Sequence, residues 1–139
     1  MREVTPAEIE TFIREKHPAK EWRQSEMLLD WVVWMMDHGC IDAFTEDGEA
    51  LSVVLCSRMS TEDKACEDFD IDPFGNCLVI DLLLSNRKHQ KWLLGDLGRF
   101  LMHKHGTPDS VHWKRLRARV PAHIPSDQLI YRLNLLPSC

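Results

Sequence analysis

The run Cys77-Leu-Val-Ile-Asp81-Leu-Leu-Leu84 constrains this chain more than any other stretch. An aliphatic segment of this length with a single polar member reads as a central strand buried on both faces. The polar loop Ser85-Asn86-Arg87-Lys88-His89-Gln90-Lys91 follows at once and opens a helical run closed by Gly106. In open α/β sheets ligands sit at the carboxyl ends of the strands, so chemistry is expected at this junction. Asp81 is the first residue to explain, because a carboxylate among aliphatic side chains must find a partner or hold its proton.

The 139 residues suffice for one domain with one hydrophobic core, 1–139, and are too few for two. A net charge of −5 argues against nucleic acid as a partner, since phosphate binding needs a clustered positive surface. The five cysteines include no C-x-x-C pair and are odd in number, which disfavours a disulfide framework or a zinc knuckle and fits a reducing cytoplasm. The most apolar segment, Met27 to Met36, is interrupted by Asp30 and is about half the length of a bilayer crossing. The N-terminus carries no apolar signal region, so a soluble cytoplasmic protein without a membrane partner is expected.

Thr5-Pro6-Ala7-Glu8 combines an N-cap, a proline at the first helical position and a capping-box acid, predicting a helix over 6–16 with Ile9, Phe12 and Ile13 as its apolar stripe. His17-Pro18 ends it. A second helix opens at Ser25-Glu26 and ends at Gly39. Its residues 27–36 are apolar on nearly every face, so cover on more than one side is expected. Cys40 to Phe44 and Ala50 to Cys56, joined through Asp47-Gly48, predict a β-hairpin extending toward Arg58.

Residues 61–72 hold six carboxylates and one lysine and read as a solvated loop or irregular edge. Asp68-x-Asp70-x-Asp72 resembles the start of a calcium loop, but Pro73 and Val79 stand where glycine and a bidentate glutamate belong. The central strand then leads into a helix over about 89–105 with Leu93, Leu97, Phe100 and Leu101 on one stripe and Leu94 on its flank. Gly95 and Gly98 inside it imply close packing, since each costs about 1 kcal/mol of helix propensity. A strand over 110–120 and a short helix over 126–133 complete the series. The strand–helix–strand unit at 77–120 implies a parallel pair beside the antiparallel hairpin, hence a mixed α/β, α+β sheet with two N-terminal helices and a short C-terminal one.

This order of elements, the hairpin beside a β-α-β core, the acid inside the central strand, and the tyrosine in Leu129-Ile-Tyr131-Arg-Leu133 resemble the GNAT superfamily of acyl-CoA acyltransferases over roughly residues 5–135. The resemblance implies that the central strand splays from its neighbour, so that an acyl-pantetheine arm lies along the backbone of Leu82, Leu83 and Leu84. It further implies that the following loop, here Arg87, Lys88, His89, Gln90 and Lys91, holds the pyrophosphate at the start of the helix. The family's paired glycines are absent, and Trp92 and Leu94 stand in that stretch. In lacking them the chain is similar to the toxin-activating lysine acyltransferases, which take the acyl group from acyl carrier protein. It shows no clear match to their N-terminal catalytic histidine, His17 lying in His17-Pro-Ala-Lys-Glu-Trp22. On this resemblance Asp81 is the base that removes a proton from the acceptor amine, and Tyr131 the acid that protonates the departing thiolate.

Plainer roles stand beside these. Asp81 can be a buried acid satisfied by Arg115, Arg117 or a backbone amide, and Tyr131 a half-buried core residue. On a strand, Arg115, Arg117 and Arg119 share one face and suit the acidic loop, a nucleotide phosphate, an acidic partner or plain solvent. His103 and His105, two apart on a helix, point to different faces, and no metal site is expected. Two functions follow. One is a small N-acyltransferase acting on an amine in a small molecule or protein; the other is a catalytically inactive GNAT-like fold serving as an interaction or accessory factor. The apolar second helix and the few residues after Tyr131 leave room for a homodimer.

Overall fold

A computed structural model of the chain describes residues 3–46, 48–64, 70–86, 90–113 and 122–125. Its elements run α1 (Pro6–Lys16), α2 (Lys20–Arg23), α3 (Leu28–Asp37), β1 (Ile41–Glu46), β2 (Ala50–Ser60), β3 (Cys77–Ser85), α4 (Gln90–His105), β4 (Ser110–Trp113) and β5 (Ala122–Pro125). The five strands form a sheet in the order β1-β2-β3-β4-β5. β1 and β2 are antiparallel, β3 and β4 parallel, and β4 and β5 antiparallel. The fold is thus mixed α/β, and α4 is the crossover that a parallel pair requires.

The chain divides into two compact units, one taking in Met1–Ser57 with Asp81–Asn86, the other Arg58–Ile80 with Arg87–Lys114. In the first, α1 begins as its capping box dictates. Thr5 Oγ1 accepts from the Glu8 amide at 3.2 Å while the Thr5 amide donates to Glu8 Oε1 at 3.3 Å. Ile9, Phe12 and Ile13 are buried as their spacing requires. Pro18 forces His17 into an extended conformation that closes the helix. The short α2, absent from the sequence reading, stacks Trp22 on His17 with ring centroids 4.8 Å apart. Trp31 of α3 meets Trp22 edge-on at 5.1 Å.

α3 ends where expected. Gly39 takes φ +68°, the Cys40 amide donates to Met35 O at 2.8 Å, and the Gly39 amide donates to Met36 O at 3.0 Å. These bonds form a Schellman motif, which needs a left-handed residue at that place. The cover expected on several sides of this helix is not found. Leu28, Val32 and Met35 are buried, whereas Met27, Leu29, Val33 and Trp34 are exposed, because one stripe is enough to seat a ten-residue helix.

The hairpin of β1 and β2 runs from Ile41↔Cys56 to Glu46↔Ala50 with an irregularity at Phe44/Thr45. β2 reaches Ser60, beyond the expected Arg58. At its far end, in the second unit, the acidic connection is anchored and only partly solvated. Asp72 N donates to Met59 O at 2.9 Å, Ser60 Oγ donates to Asp70 Oδ2 at 2.9 Å, and Ser110 Oγ donates to Glu62 Oε1 at 2.6 Å. The Arg58 side chain, 1% exposed, donates to the Asp70 carbonyl. Beside this anchor, a methyl group on Gly75 would meet Ser60 O at 2.2 Å and its carbonyl carbon at 2.5 Å. Both are backbone atoms that cannot move aside.

β3 carries the predicted burial on both faces: Cys77 to Leu82 and Leu84 are all buried. In α4, Leu97, Gly98 and Leu101 are buried, in line with close packing at a glycine. The strand expected over 110–120 is described as far as Trp113, and β5 is an element the sequence reading did not separate. The helix expected over 126–133 lies outside the described residues.

The Gly75 contact makes a direct prediction. Gly75→Ala lowers stability by about 2 kcal/mol, in the range of strained or overpacked sites. In urea unfolding the midpoint falls while the slope is unchanged.

Candidate functional site

Strand β3 and the residues that follow it hold the positions that the sequence singles out. The parallel ladder to β4 pairs Cys77↔Ser110, Leu78↔Val111, Val79↔His112 and Ile80↔Trp113. Asp81 is the next residue along, 5% exposed, with Leu82 and Leu84 buried and Leu83 half-buried beyond it. A carboxylate at this depth engages a partner, as the energetics of burial demand.

At the carboxyl end of β3, Asn86 ties the strand back to the start of β2. Its amide donates to Ser52 O at 3.0 Å and its side chain donates to Leu51 O at 3.2 Å. The end of β3 beside the beginning of β2 makes these neighbours antiparallel. Ser52 is itself buried and donates through Oγ to Phe44 O at 3.2 Å. Asn86 therefore fixes where the chain leaves the sheet to enter the loop. Nothing in the hydrophobic pattern marked it, although a side-chain amide between a strand and a helix is well suited to bonding exposed backbone.

Of the positions expected to hold an anion, Gln90 and Lys91 lie in the first turn of α4, which contains no acid. Arg87, Lys88 and His89 lie outside the described residues, as do Tyr131 and the arginines at 115, 117 and 119. The structure thus brings Asp81, Leu82, Leu83, Leu84 and Asn86 onto one strand end and places the start of α4 shortly after it in the chain.

An open groove of about 460 Å³ lies between α1 and the start of β2, lined by Glu8, Phe12, Glu15, Ala50 and Leu51 among others. It does not include Asp81. Its link to the expected site is Leu51, whose carbonyl receives the Asn86 side chain. Nothing in the sequence signalled this groove, because it forms only when a helix face and a strand end meet.

His17, the N-terminal histidine of the sequence reading, is buried at the end of α1. Its Nδ1 accepts from the Ala19 amide at 3.0 Å, so the neutral ring carries its proton on Nε2. Burial, and secondarily the Arg23 charge, hold its pKa below the usual histidine value. Among the described residues no group of three or more potential metal ligands comes together. Asp70 Oδ2 accepts from Ser60, and Asp72 Oδ1 accepts from the Phe74 amide at 3.0 Å. Two of the three acids of the calcium-like triplet therefore serve loop structure. Among the described residues, no helix is long and apolar enough to cross a membrane.

The depressed His17 pKa fixes the sign of a pH effect. The unfolded chain takes up the proton near pH 6.5 while the folded chain still resists it, so the stabilisation is complete above that pH and declines as pH falls toward the folded value. Melting temperature is expected to drop between about pH 7.5 and 5.5. In His17→Phe, which retains a flat ring against Trp22, the slope of that drop becomes shallower.

No known protein family, curated protein or solved structure matches this chain.

Proposed function

We propose that this chain is a small, divergent N-acyltransferase of GNAT type, which moves an acyl group from acyl-CoA or acyl carrier protein onto an amine. The observation that supports it most is Asp81: a buried acid on the central strand, one residue past the Ile80↔Trp113 pair of the parallel ladder. Folding alone gives little reason to keep a carboxylate there, since an aliphatic residue would avoid its desolvation cost.

In this reading the thioester arm lies along Leu82 to Leu84. The amine nitrogen attacks the thioester carbonyl and a C–N bond forms. Asp81 accepts the proton that nitrogen loses, directly or through one water, and the C–S bond breaks. The thiolate then takes a proton, a role that the GNAT resemblance gives to Tyr131. In sequence, Arg87, Lys88 and His89 directly precede Gln90 and Lys91, the first two residues of α4. Cations there oppose the helix dipole, and a bound phosphate offsets that opposition while using the free amides of the first turn.

A second reading, a catalytically inactive fold that works as an interaction or accessory factor, is favoured by the exposed apolar residues of α3.

Melting the protein with acetyl-CoA, longer acyl-CoA thioesters and acyl carrier protein separates the two. A donor at about 100 times its Kd adds about 2.7 kcal/mol to native stability, a clear rise in Tm. Asp81→Asn is expected to keep that rise while transfer to an amine, followed by mass spectrometry of the acylated product, falls at least about 100-fold. Absence of a shift with every donor rejects the transferase.

A further inference from the structure

We propose that the outer face of α3 is a docking surface for a basic amphipathic helix of a partner protein. The inference is independent of whether the chain transfers acyl groups. Helix α3 already seats itself through Leu28, Val32 and Met35 and packs on α1. Leu29 at 38% and Val33 at 39% exposure, with Met27 at 64% just before the helix, lie outside that seat, while Trp34 at 39% exposure packs its ring against His38 with centroids 4.3 Å apart. Large apolar side chains left together in water mark an interaction site more often than chance.

Charge identifies the occupant. Asp30 and Asp37 of α3 are exposed, as is Glu26 just before the helix. Within the helix the spacings 30/34, 29/33 and 33/37 are all i,i+4, so acids and apolar residues share its outer face. The last turn of α3 carries no basic residue. A second copy of this chain would set these carboxylates against one another, and an acidic or neutral helix would leave them facing apolar groups. A helix with leucine-type residues at i, i+3, i+4 and i+7, flanked by lysine or arginine, fills the apolar rows and meets the acids at the rim.

The test uses the full chain and a fluorescently labelled synthetic Leu/Lys helix about five turns long, alongside a peptide of the same composition with the order scrambled. Anisotropy titration is expected to show binding of the ordered helix that weakens with added salt. Asp30→Lys combined with Asp37→Lys should weaken it at least about tenfold, and Val33→Ser should weaken it severalfold. Glu15→Lys combined with Glu21→Lys changes net charge equally on exposed positions elsewhere and should leave affinity within about twofold. Circular dichroism checks that each variant stays folded. The proposal is overturned if the scrambled peptide binds as well, if the control pair loses as much affinity as the α3 pair, or if no binding occurs. It is also overturned if sedimentation shows a homodimer that Val33→Ser dissociates, because the occupant is then a second copy.

Discussion

Burial of β3 on both faces is the constraint on which the remaining structure depends. Alternate residues of a strand point to opposite sides, and from Cys77 to Leu82 each side is closed to solvent. A strand in that position needs hydrogen-bonded neighbours at both edges and apolar cover above and below. The sheet order supplies the first, with β2 and β4 flanking β3. The parallel pairing to β4 requires a long crossover, and α4 provides it.

That burial also brings polar groups inside, and each needs a partner at low dielectric. Arg58 and Ser60 on β2 both donate to Asp70, and Ser110 on β4 donates to Glu62. The acidic connection between β2 and β3 therefore has a structural purpose that its composition conceals. A stretch that looks like a solvated run in one dimension supplies, in three, two carboxylate acceptors for buried hydroxyls and a backbone carbonyl for a buried guanidinium.

The α3 helix illustrates the opposite error. Its nearly continuous hydrophobicity implies cover on several sides, yet a single stripe of Leu28, Val32 and Met35 is buried. Hydrophobic sequence is necessary for burial without dictating it, since contact depends on what other elements remain to pack. The apolar residues exposed on its other side are the surface we propose for docking.

Local signals were legible wherever the physics is local. The capping box of α1, the proline stop at His17, the glycine at the end of α3, the pairing of the hairpin strands and the strand at Cys77 each depend on residues a few positions apart, and the structure follows them. The sequence also singled out Asp81, because an acid within an aliphatic run is anomalous without any knowledge of its neighbours. What only the tertiary structure decided involves residues distant in the chain: the Asn86 tie to Leu51 and Ser52, the Arg58 and Ser60 anchor on Asp70, the α1–β2 groove and the exposed side of α3. Periodicity within one element reports which of its faces is apolar. It carries no information about which other element, if any, arrives to cover that face or to satisfy the polar groups beside it.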